Sequence, residues 1–258
     1  LENIFDILTS LEKLGQIADL DLENQESLSS LNHNLNEALH VEVGEVNFAY
    51  PGREKKVLNN IHVSFSPGKS HCITGQNSSG KSTLLHLIAG LYQPQSGYIS
   101  INGYPIPNYD IHKLYNIIGN GLSEETIFEG SVIENITLGR TFISDEDIKW
   151  AIEKIHLSNF IKTLPKGVDT VVEASGYNLP ESITQKILLA RSIVNKPKLL
   201  LIENRMDCIE EHDRKNIIDF LTDKSNGWTL IIISNDNYVM EKCDTLVSMK
   251  NGEIEFIK

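Results

Sequence analysis

The sequence predicts an α/β domain with a mostly parallel sheet, and two observations indicate this fold class. The segments "KLLLIEN" and "TLIIISN" are short apolar runs of the kind found in parallel strands that are buried on both faces. Helical patterns such as "SITQKILLARSIV" lie between the strand-like segments. Strands that alternate with helices along a chain predict a parallel sheet with helices packed against it.

Strand-like segments dominate the chain from residue 41 onward. "HVEVGEVNFAY" alternates polar and apolar residues like a strand, "PGREKK" is a turn, and "VLNNIHVSFSPG" is again strand-like. "HCITG" is a short apolar strand, and "SSGKSTLLHLIAGLY" follows it as a helix. "SGYISING" is interpreted as one strand of a hairpin. These segments supply the first elements of the predicted domain.

The second half of the chain continues the alternation. Residues 145–163 are expected to form one helix, because one helical face carries Ile148, Ala151, Ile152 and Ile155. A further helix is expected at "SITQKILLARSIV", before the two buried strands. "DTLVSMKNGEIEFI" predicts a closing hairpin around Asn251 and Gly252, since Asn-Gly is a strong hairpin signal.

The first 40 residues differ from the rest in composition and in the spacing of apolar residues. Residues 1–17 carry apolar side chains at helical spacing, which predicts a helix. Residues 18–40 are polar and acidic and are interpreted as a linker, with a surface helix of the main domain as the alternative. We therefore expect one domain over residues 41–258. The chain begins with Leu1 rather than Met, so we expect it to be part of a longer protein.

Composition excludes some classes of function. The formal net charge of −12 argues against a nucleic-acid partner, which requires a basic face. The three cysteines, Cys72, Cys208 and Cys243, are odd in number and widely spaced, which indicates a reducing compartment and offers no C-x-x-C metal pattern. No apolar run approaches the roughly 20 residues of a membrane span, and no signal peptide is visible.

The segment "GQNSSGKST" fits the phosphate-loop pattern G-x-x-x-x-G-K-S/T. It follows a predicted strand and opens a predicted helix, and this context separates it from a chance match in a Gly/Ser-rich loop. Backbone N–H groups of such a loop surround the β-phosphate, and the helix N-terminus adds partial positive charge. We expect Lys81 to reach the β- and γ-phosphates and Ser82 to ligate Mg²⁺. The predicted phosphate-contacting residues are Gly75, Gln76, Asn77, Ser78, Ser79, Gly80, Lys81, Ser82 and Thr83.

Colinear segments carry a resemblance to a known family. "VNFAYPGREKKVLNNIHVSFSPGK", "LYQPQSGYISINGYPI", "IFEGSVIENITLG" and "LLARSIVNKPKLLLIE" resemble, in order, the nucleotide-binding domain of ATP-binding cassette (ABC) exporters, similar to type I secretion and bacteriocin exporters. The resemblance implies a P-loop NTPase (RecA-like) core, an antiparallel β subdomain and a helical signature subdomain at roughly residues 122–195. A weaker likeness of "TGQNSSGKST" to mismatch-repair ATPases is disfavoured by the acidic charge and by "FEGSVIENI".

The resemblance also implies ligands and partners. ATP and Mg²⁺ are the expected cofactors, and Tyr50 stands where an aromatic side chain stacks on adenine; an edge-strand tyrosine before a turn is the alternative. The N-terminal helix resembles the end of a last membrane helix, so a transmembrane domain of the same exporter is an expected partner. A second nucleotide-binding domain, either a copy of this chain or an intact partner, is the other. The domain is expected at the cytoplasmic face of the inner or plasma membrane.

Several positions depart from the family pattern. The family has Gln at Ser123, a catalytic Glu at Asn204 and a switch His at Asn235. Glu203 replaces Asp and keeps a carboxylate for Mg²⁺, one methylene longer, beside the other predicted metal ligand, Ser82. Losing a positioned general base costs about 10²–10⁴ in rate. No catalytic residue is therefore intact, and we expect nucleotide binding with weak or absent hydrolysis.

The family signature Leu-Ser-Gly-Gly-Gln is replaced by Leu179, Pro180, Glu181, Ser182 and Ile183. In a head-to-tail dimer this segment faces the γ-phosphate of the opposite subunit. Pro180 lacks an N–H group, and Glu181 repels that phosphate by roughly 3 kcal/mol at ~5 Å and an effective dielectric of ~20. The competing interpretation is a plain helix start, with Pro180 at the first helical position.

Three hypotheses follow. The first is a degenerate ATP-binding domain of an exporter, the second a working ATPase motor that tolerates its substitutions, and the third a scaffold that no longer binds nucleotide. Asn204 argues against the second. Tyr50, Lys81 and Ser82 argue against the third. Ser78 replaces a usual glycine, so the loop is expected to be strained if that position needs a positive φ.

Overall fold

The structure is a computed structural model that describes residues 36–53, 55–123, 125–203 and 206–258. The helix expected at residues 1–17 lies outside the described residues. The expected linker spans residues 18–40, and its part from residue 18 to residue 35 also lies outside them. The described strands are β1 (Val41–Phe48), β2 (Leu58–Phe65), β3 (Ser70–Gly75), β4 (Ser96–Ile101), β5 (Tyr104–Pro105), β6 (Ile118–Gly121), β7 (Gly130–Ser131), β8 (Val171–Val172), β9 (Leu199–Ile202), β10 (Thr229–Ile233), β11 (Thr245–Lys250) and β12 (Glu253–Ile257).

The central sheet has the strand order β12-β11-β3-β10-β9-β6. Strands β6, β9, β10, β3 and β11 run parallel, and β12 joins the edge antiparallel to β11. Cys72 of β3 pairs with Ile232 of β10, which pairs with Ile202 of β9. The predicted α/β fold with a mostly parallel sheet is confirmed. The carboxyl ends of these strands lie at one edge, where ligands bind in open parallel sheets.

A second sheet is antiparallel, with the order β2-β1-β4-β5. Val43 of β1 pairs with Val63 of β2 on one side and with Ile99 of β4 on the other. The hairpin of β4 and β5 confirms the interpretation of "SGYISING". The hairpin of β11 and β12 is also confirmed, and Asn251 has the positive φ of 51° that its turn requires.

The described α-helices are α1 (Lys81–Ile88), α2 (Ile111–Ile117), α3 (Val132–Thr137), α4 (Asp145–Lys154), α5 (Ser158–Thr163), α6 (Glu181–Ile193), α7 (Glu211–Thr222) and α8 (Asn237–Lys242). No described helix is long and apolar enough to cross a lipid bilayer. The prediction of one helix over residues 145–163 is wrong. Helix α4 ends because His156 adopts a φ of 57°, and the N–H of Leu157 donates to the Ile152 carbonyl.

Two hydrophobic cores lie on opposite faces of the central sheet. Leu199, Leu201 and Ile231 face the core shared with the antiparallel sheet and α1. Leu200 and Ile202 face the core formed with α3, α4, α6 and α7. Alternate residues of a strand point to opposite faces, so an uninterrupted apolar run fills both cores. This burial fixes the strand ends that carry the loops described below.

The described chain is anchored to the domain before the expected boundary at residue 41. Leu39 is fully buried, its N–H donates to the Lys198 carbonyl at 3.2 Å, and its carbonyl accepts from the Thr229 hydroxyl. The backbone N–H of His40 donates to Asn102 Oδ1 at 2.8 Å. Residues immediately before β1 therefore contact both sheets.

Candidate nucleotide-binding site

The loop between β3 and α1 curves tightly at two glycines. Gly75 has a φ of 142°, and a Cβ there would lie 2.1 Å from the Met249 carbonyl oxygen. Gly80 has a φ of 97°, and a Cβ there would lie 2.6 Å from Leu58 Cδ2. Side chains at either position would collide with the neighbouring strands. The two glycines of the sequence motif are therefore required by the close packing of this backbone.

Lys81 lies at the first position of α1, and its side chain is only 9% exposed. Its Nζ donates to the carbonyl oxygens of Gly75 at 3.0 Å and Gln76 at 2.8 Å. Burial lowers the pKa of the Lys81 ammonium below its ordinary value, and the Glu203 carboxylate acts in the opposite direction. The ammonium is thus held against the loop by backbone acceptors, at a helix N-terminus that itself favours anions.

Ser78 adopts a φ of 62° in the exposed tip of the loop. A left-handed conformation at a residue with a Cβ costs about 1–2 kcal/mol. The positive φ on which the expected strain at Ser78 depends is therefore present. The preceding residue, Asn77, is not among the described residues with positive φ, so the strain lies at Ser78.

The two predicted metal ligands lie in direct contact. Ser82, in the first turn of α1, donates its hydroxyl to Glu203 Oε1. Glu203 follows β9, and its backbone N–H donates to the Gly121 carbonyl at the end of β6. A hydroxyl and a carboxylate at this spacing are oxygen ligands of the kind that Mg²⁺ prefers.

Tyr50 follows β1 and lies beside α1. Its hydroxyl is 3.0 Å from Thr83 Oγ1, and its ring makes edge contacts with Phe48 and Tyr92 at centroid distances of 5.1 and 5.4 Å. Tyr50 also begins a turn, since its carbonyl accepts from the N–H of Arg53. The alternative was right about the turn, but β1 lies between β2 and β4 and is not an edge strand of its sheet. The bond to Thr83 places Tyr50 beside the phosphate loop. Its stacking on adenine stays a prediction.

A cleft of about 720 Å³ opens beside the loop. Its lining unites residues from the ends of β9 and β10 with α1 and α7. The lining residues are Asn77, Ser78, Lys81, Ser82, Ser123, Glu203, Met206, Asp207, Arg214, Ile218, Ile232, Ile233, Ser234, Asn235, Asp236 and Val239. The structure thus brings Ser123 and Asn235 to the cleft beside the loop, and their catalytic positions stay a prediction. Asn204 lies outside the described residues.

Asn235 is bonded to the start of the phosphate loop rather than free to serve a ligand. Its Oδ1 accepts from the Thr74 hydroxyl at 2.7 Å and from the Gly75 N–H at 3.2 Å. Its Nδ2 donates to the Gly75 carbonyl at 3.2 Å. A side-chain amide can also donate a hydrogen bond to a phosphate oxygen. Such a bond would require Asn235 to give up its contact with the Gly75 carbonyl.

The signature-like segment forms the start of α6, and none of residues 179–183 is among those that line the described cleft. Pro180 is the residue just before α6, with a φ of −55°, so its expected position inside the helix is off by one residue. Glu181 is exposed in the first turn, and no side chain caps this end of the helix. Leu179 and Ile183 pack against the helical core.

Sequence reasoning missed the charged residues that α7 and the loop after β10 bring into the cleft. Arg214 Nη1 lies 3.0 Å from Asp236 Oδ2 and 3.7 Å from Asp207 Oδ1. Asp236 also caps α8 by accepting from the Tyr238 N–H. His86, also missed, lies 3.8 Å from Glu203. Only the spacing of His86, four residues after Ser82 on one helix, offered a sequence signal.

Comparison with known proteins places this geometry in a family. Residues 58–205 match the family described as "ABC transporter", and this range is more than half of the chain. The chain belongs to the ABC transporter family. The expected nucleotide-binding domain of an ABC exporter is therefore confirmed, and its narrower likeness to type I secretion and bacteriocin exporters stays a prediction.

Curated members of the ABC transporter family are similar over most of this chain. An Arabidopsis thaliana protein named "ABC transporter B family member 26, chloroplastic" is 32% identical over 221 residues, which cover 83% of this chain and 31% of that protein. The "ATP-dependent lipid A-core flippase" of Pseudomonas fluorescens is 31% identical over 216 residues, covering 83% of this chain and 36% of the flippase. The chain thus spans less than half of these relatives.

A solved structure confirms the fold. The chain described as "Structure of a bacterial Atm1-family ABC exporter with ATP bound" has a TM-score of 0.87 and 23% sequence identity, covering 97% of this chain and 43% of that one. The predicted P-loop NTPase core, antiparallel sheet and helical region therefore agree with an ABC exporter fold.

The residues present fit a magnesium–nucleotide. Gly75 and Gly80 let the loop pack closely against the neighbouring strands, and the N-terminus of α1 follows the loop directly. Lys81 adds the cation, and the Ser82–Glu203 pair supplies oxygen ligands on the cleft side. Each part has the chemistry that a triphosphate and a divalent cation need.

Proposed function

We propose that this chain is the ATP-binding domain of an exporter that binds Mg-ATP and hydrolyses it weakly or not at all. One observation carries the proposal. The phosphate loop and the Ser82–Glu203 pair are complete, while Asn235, at the switch position, is bonded to Gly75 of the loop. Nucleotide then acts as a structural or regulatory ligand.

Binding rests on the chain's own groups. The loop amides and Lys81 hold the phosphates, and Tyr50, next to Thr83, stacks on the adenine. Ser82 and Glu203 ligate the cation, which neutralises phosphate charge when it is bound. Strand β9 fixes the position of Glu203, because its four apolar residues are buried in the two cores and Glu203 follows them at the sheet edge.

Hydrolysis needs a base near the attacking water, and each described carboxylate of the cleft already contacts another side chain. Glu203 accepts from Ser82, and Asp236 is paired with Arg214. Asp207 is exposed and also faces Arg214. The amide of Asn204 cannot accept a proton at neutral pH.

The partners that the family implies complete the proposal. A second nucleotide-binding domain faces Glu181 and Pro180 with its own bound nucleotide, so neither site of a dimer has a complete catalytic set. A transmembrane domain of the same exporter receives the movement of this dimer. The domain accordingly lies on the cytoplasmic face of the membrane. The proposal holds for a homodimer and for a heterodimer.

An active motor is the second candidate. The retained metal pair favours it, as does the similarity to a protein named an ATP-dependent flippase. In that case Asn204 and Asn235 would orient the attacking water by hydrogen bonds alone. The two candidates differ in turnover and not in nucleotide affinity.

Mg-ATP titration and steady-state phosphate release on the same purified sample, alone and with an intact partner domain, test the proposal. We expect saturable binding with turnover far below about 1 s⁻¹, the lower end of ordinary enzyme rates. Turnover at or above that rate supports the active motor instead. A sample that binds no Mg-ATP supports the third hypothesis, a scaffold that no longer binds nucleotide.

A further inference from the structure

We infer that His86 is a positioning residue that holds the Glu203 carboxylate in place for the divalent cation. The inference rests on the proposed binding of Mg-ATP and assigns a residue that the phosphate-loop motif does not include. His86 lies on α1, one turn after Ser82, and residues four apart on a helix project from the same face. Both residues therefore approach Glu203 from the same helix.

The contact joins two buried polar atoms, one on each side chain. His86 is 4% exposed, and its Nε2 lies 3.8 Å from Glu203 Oε2. Neither atom has a hydrogen-bond partner among the described residues. A buried polar group left unpaired costs about 1–3 kcal/mol. A shift of about 1 Å would bring the two atoms into hydrogen-bond distance.

The two oxygens of Glu203 are thereby divided between two neighbours. Oε1 accepts from the Ser82 hydroxyl, and Oε2 faces the imidazole. Glu has one more side-chain torsion than the Asp that the family resemblance implies at this position. A longer carboxylate loses more rotamer freedom when it is held in one place, and a second contact limits that freedom beforehand.

The imidazole is itself held by aromatic packing. Its ring lies 6.3 Å from the Tyr92 ring at an interplanar angle of 34°, and Tyr92 contacts Tyr50 edge-on at 5.4 Å. A continuous set of contacts therefore joins Tyr50, where adenine is expected, to the metal pair. Outer partners that orient metal ligands in this way affect metal affinity about 10–100-fold when they are removed.

A purely structural role is the competing account, since a buried histidine can simply fill the core. His71 provides a matched case in this chain. It is 1% exposed, its Nδ1 also has no hydrogen-bond partner among the described residues, and its ring packs edge-on against Phe65 at 5.3 Å. His71 lies at the opposite end of β3 from the phosphate loop, so its replacement tests folding without touching Glu203.

The experiment measures Mn²⁺ affinity of the protein–ATP complex by electron paramagnetic resonance, using the whole chain. We expect His86→Leu to weaken Mn²⁺ binding about 10-fold or more, and His86→Gln, which keeps an N–H donor, to stay within about 3-fold of the parent. ATP affinity in EDTA is expected to be the same for the parent, His86→Leu and His71→Leu, and His71→Leu is expected to keep its Mn²⁺ affinity. In a Glu203→Asp background, His86→Leu is expected to add less than about 2-fold, because the shortened carboxylate no longer reaches the ring.

Unchanged Mn²⁺ affinity in His86→Leu overturns the inference while leaving the proposed function intact. An equal loss in His71→Leu also overturns it, because the effect would then come from core packing. If His86→Leu does not fold, the comparison of His86→Gln with His86→Asn decides. The shorter amide of Asn falls short of Glu203, so equal Mn²⁺ affinity in these two variants overturns the inference. A parent chain that binds no ATP overturns the proposed function itself.

Discussion

Helix α1 begins after Gly80, which has a φ of 97°, whereas helix α6 begins after Pro180, which has a φ of −55°. Both helices direct the positive end of their dipole towards the start of the helix. At α1 the first residue is the buried cation Lys81, and a tight loop precedes it. At α6 the first residue is the exposed carboxylate Glu181.

The difference shows that a helix N-terminus becomes an anion site through its neighbours. At α1 the curved backbone of the loop and the Lys81 ammonium add to the helix dipole, so three groups would attract a bound phosphate. At α6 the carboxylate already neutralises the dipole, and the cations Lys186 and Arg191 are paired with Asp213 and Glu125. We therefore expect α6 to contribute to stability and α1 to contribute to nucleotide binding.

Restoring catalytic groups on the α1 side is expected to give the largest effect. The triple variant Ser123→Gln, Asn204→Glu and Asn235→His returns a base and two orienting groups to the cleft. We expect phosphate release to rise about 100-fold or more over the parent, because a positioned general base alone contributes about 10²–10⁴. Steady-state phosphate release with Mg-ATP checks this.

Adding Lys81→Ala to the triple variant provides the control, since the new groups cannot act without bound phosphate. Phosphate release should then return to the background level. A triple variant that stays as slow as the parent would show that the α6 side, with Glu181, limits turnover. Replacing Pro180 by Ser and Glu181 by Gly in the triple variant would then show how much of the slow turnover comes from the α6 side.

Removing the cation of α1 is expected to have the next largest effect. Lys81→Ala should weaken Mg-ATP binding about 10–100-fold, because hydrogen bonds to charged groups contribute about 1.5–3 kcal/mol. Calorimetric titration measures the affinity. Lys162→Ala, on α5, is the matched control and should bind as the parent does. An equal loss in both variants would mean that general charge, and not the loop, attracts the nucleotide.

The sequence predicted the loop and the strands better than it predicted the cleft. The phosphate loop was readable because its residues are contiguous, and β10 was readable because its apolar run fills both cores. Strand β6 was missed because two of its four residues, Gly119 and Gly121, hide the apolar pattern. The break at His156 was missed because apolar residues continue on both sides of it.

The charged lining of the cleft depends on tertiary contacts. Arg214 meets Asp236 only because α7 and the loop after β10 lie side by side. The bonds between Asn235 and Gly75 likewise join two parallel strands that are distant in sequence. Local patterns contain no information on such pairs, so only the identity of Asn235 could be predicted, and its partners could not.

The carboxylate that anchors α6 is expected to make stability depend on pH. Burial raises the pKa of Glu125 to about 7, against the opposing effect of the Arg191 guanidinium. A carboxyl with a raised pKa in the folded state stabilises below its ordinary pKa, and the contribution is lost as pH rises through about 7. Glu125→Gln should therefore gain on the order of 1–2 kcal/mol over the parent at pH 8.5, and less at pH 6.

Urea unfolding at several pH values measures this difference. Glu125→Gln leaves Arg191 bonded to the carbonyl oxygens of Asn135 and Thr126, so α6 stays anchored. Glu129→Gln, at an exposed carboxylate of the same loop, is the control for the removal of one negative charge. A Glu125 variant that parallels the parent at every pH would mean that this carboxyl ionises normally in the folded chain.

The smallest expected effect concerns the strained tip of the loop before α1. Ser78→Gly should stabilise the domain by about 1 kcal/mol, because glycine adopts a φ of 62° without the clash of a Cβ. Asn77→Gly, at the adjacent residue, should instead destabilise by about 0.5–1 kcal/mol through the entropy of the unfolded chain. Urea unfolding of both variants distinguishes the two effects. If both glycines change stability in the same direction, flexibility of the loop and not strain at Ser78 governs this helix start.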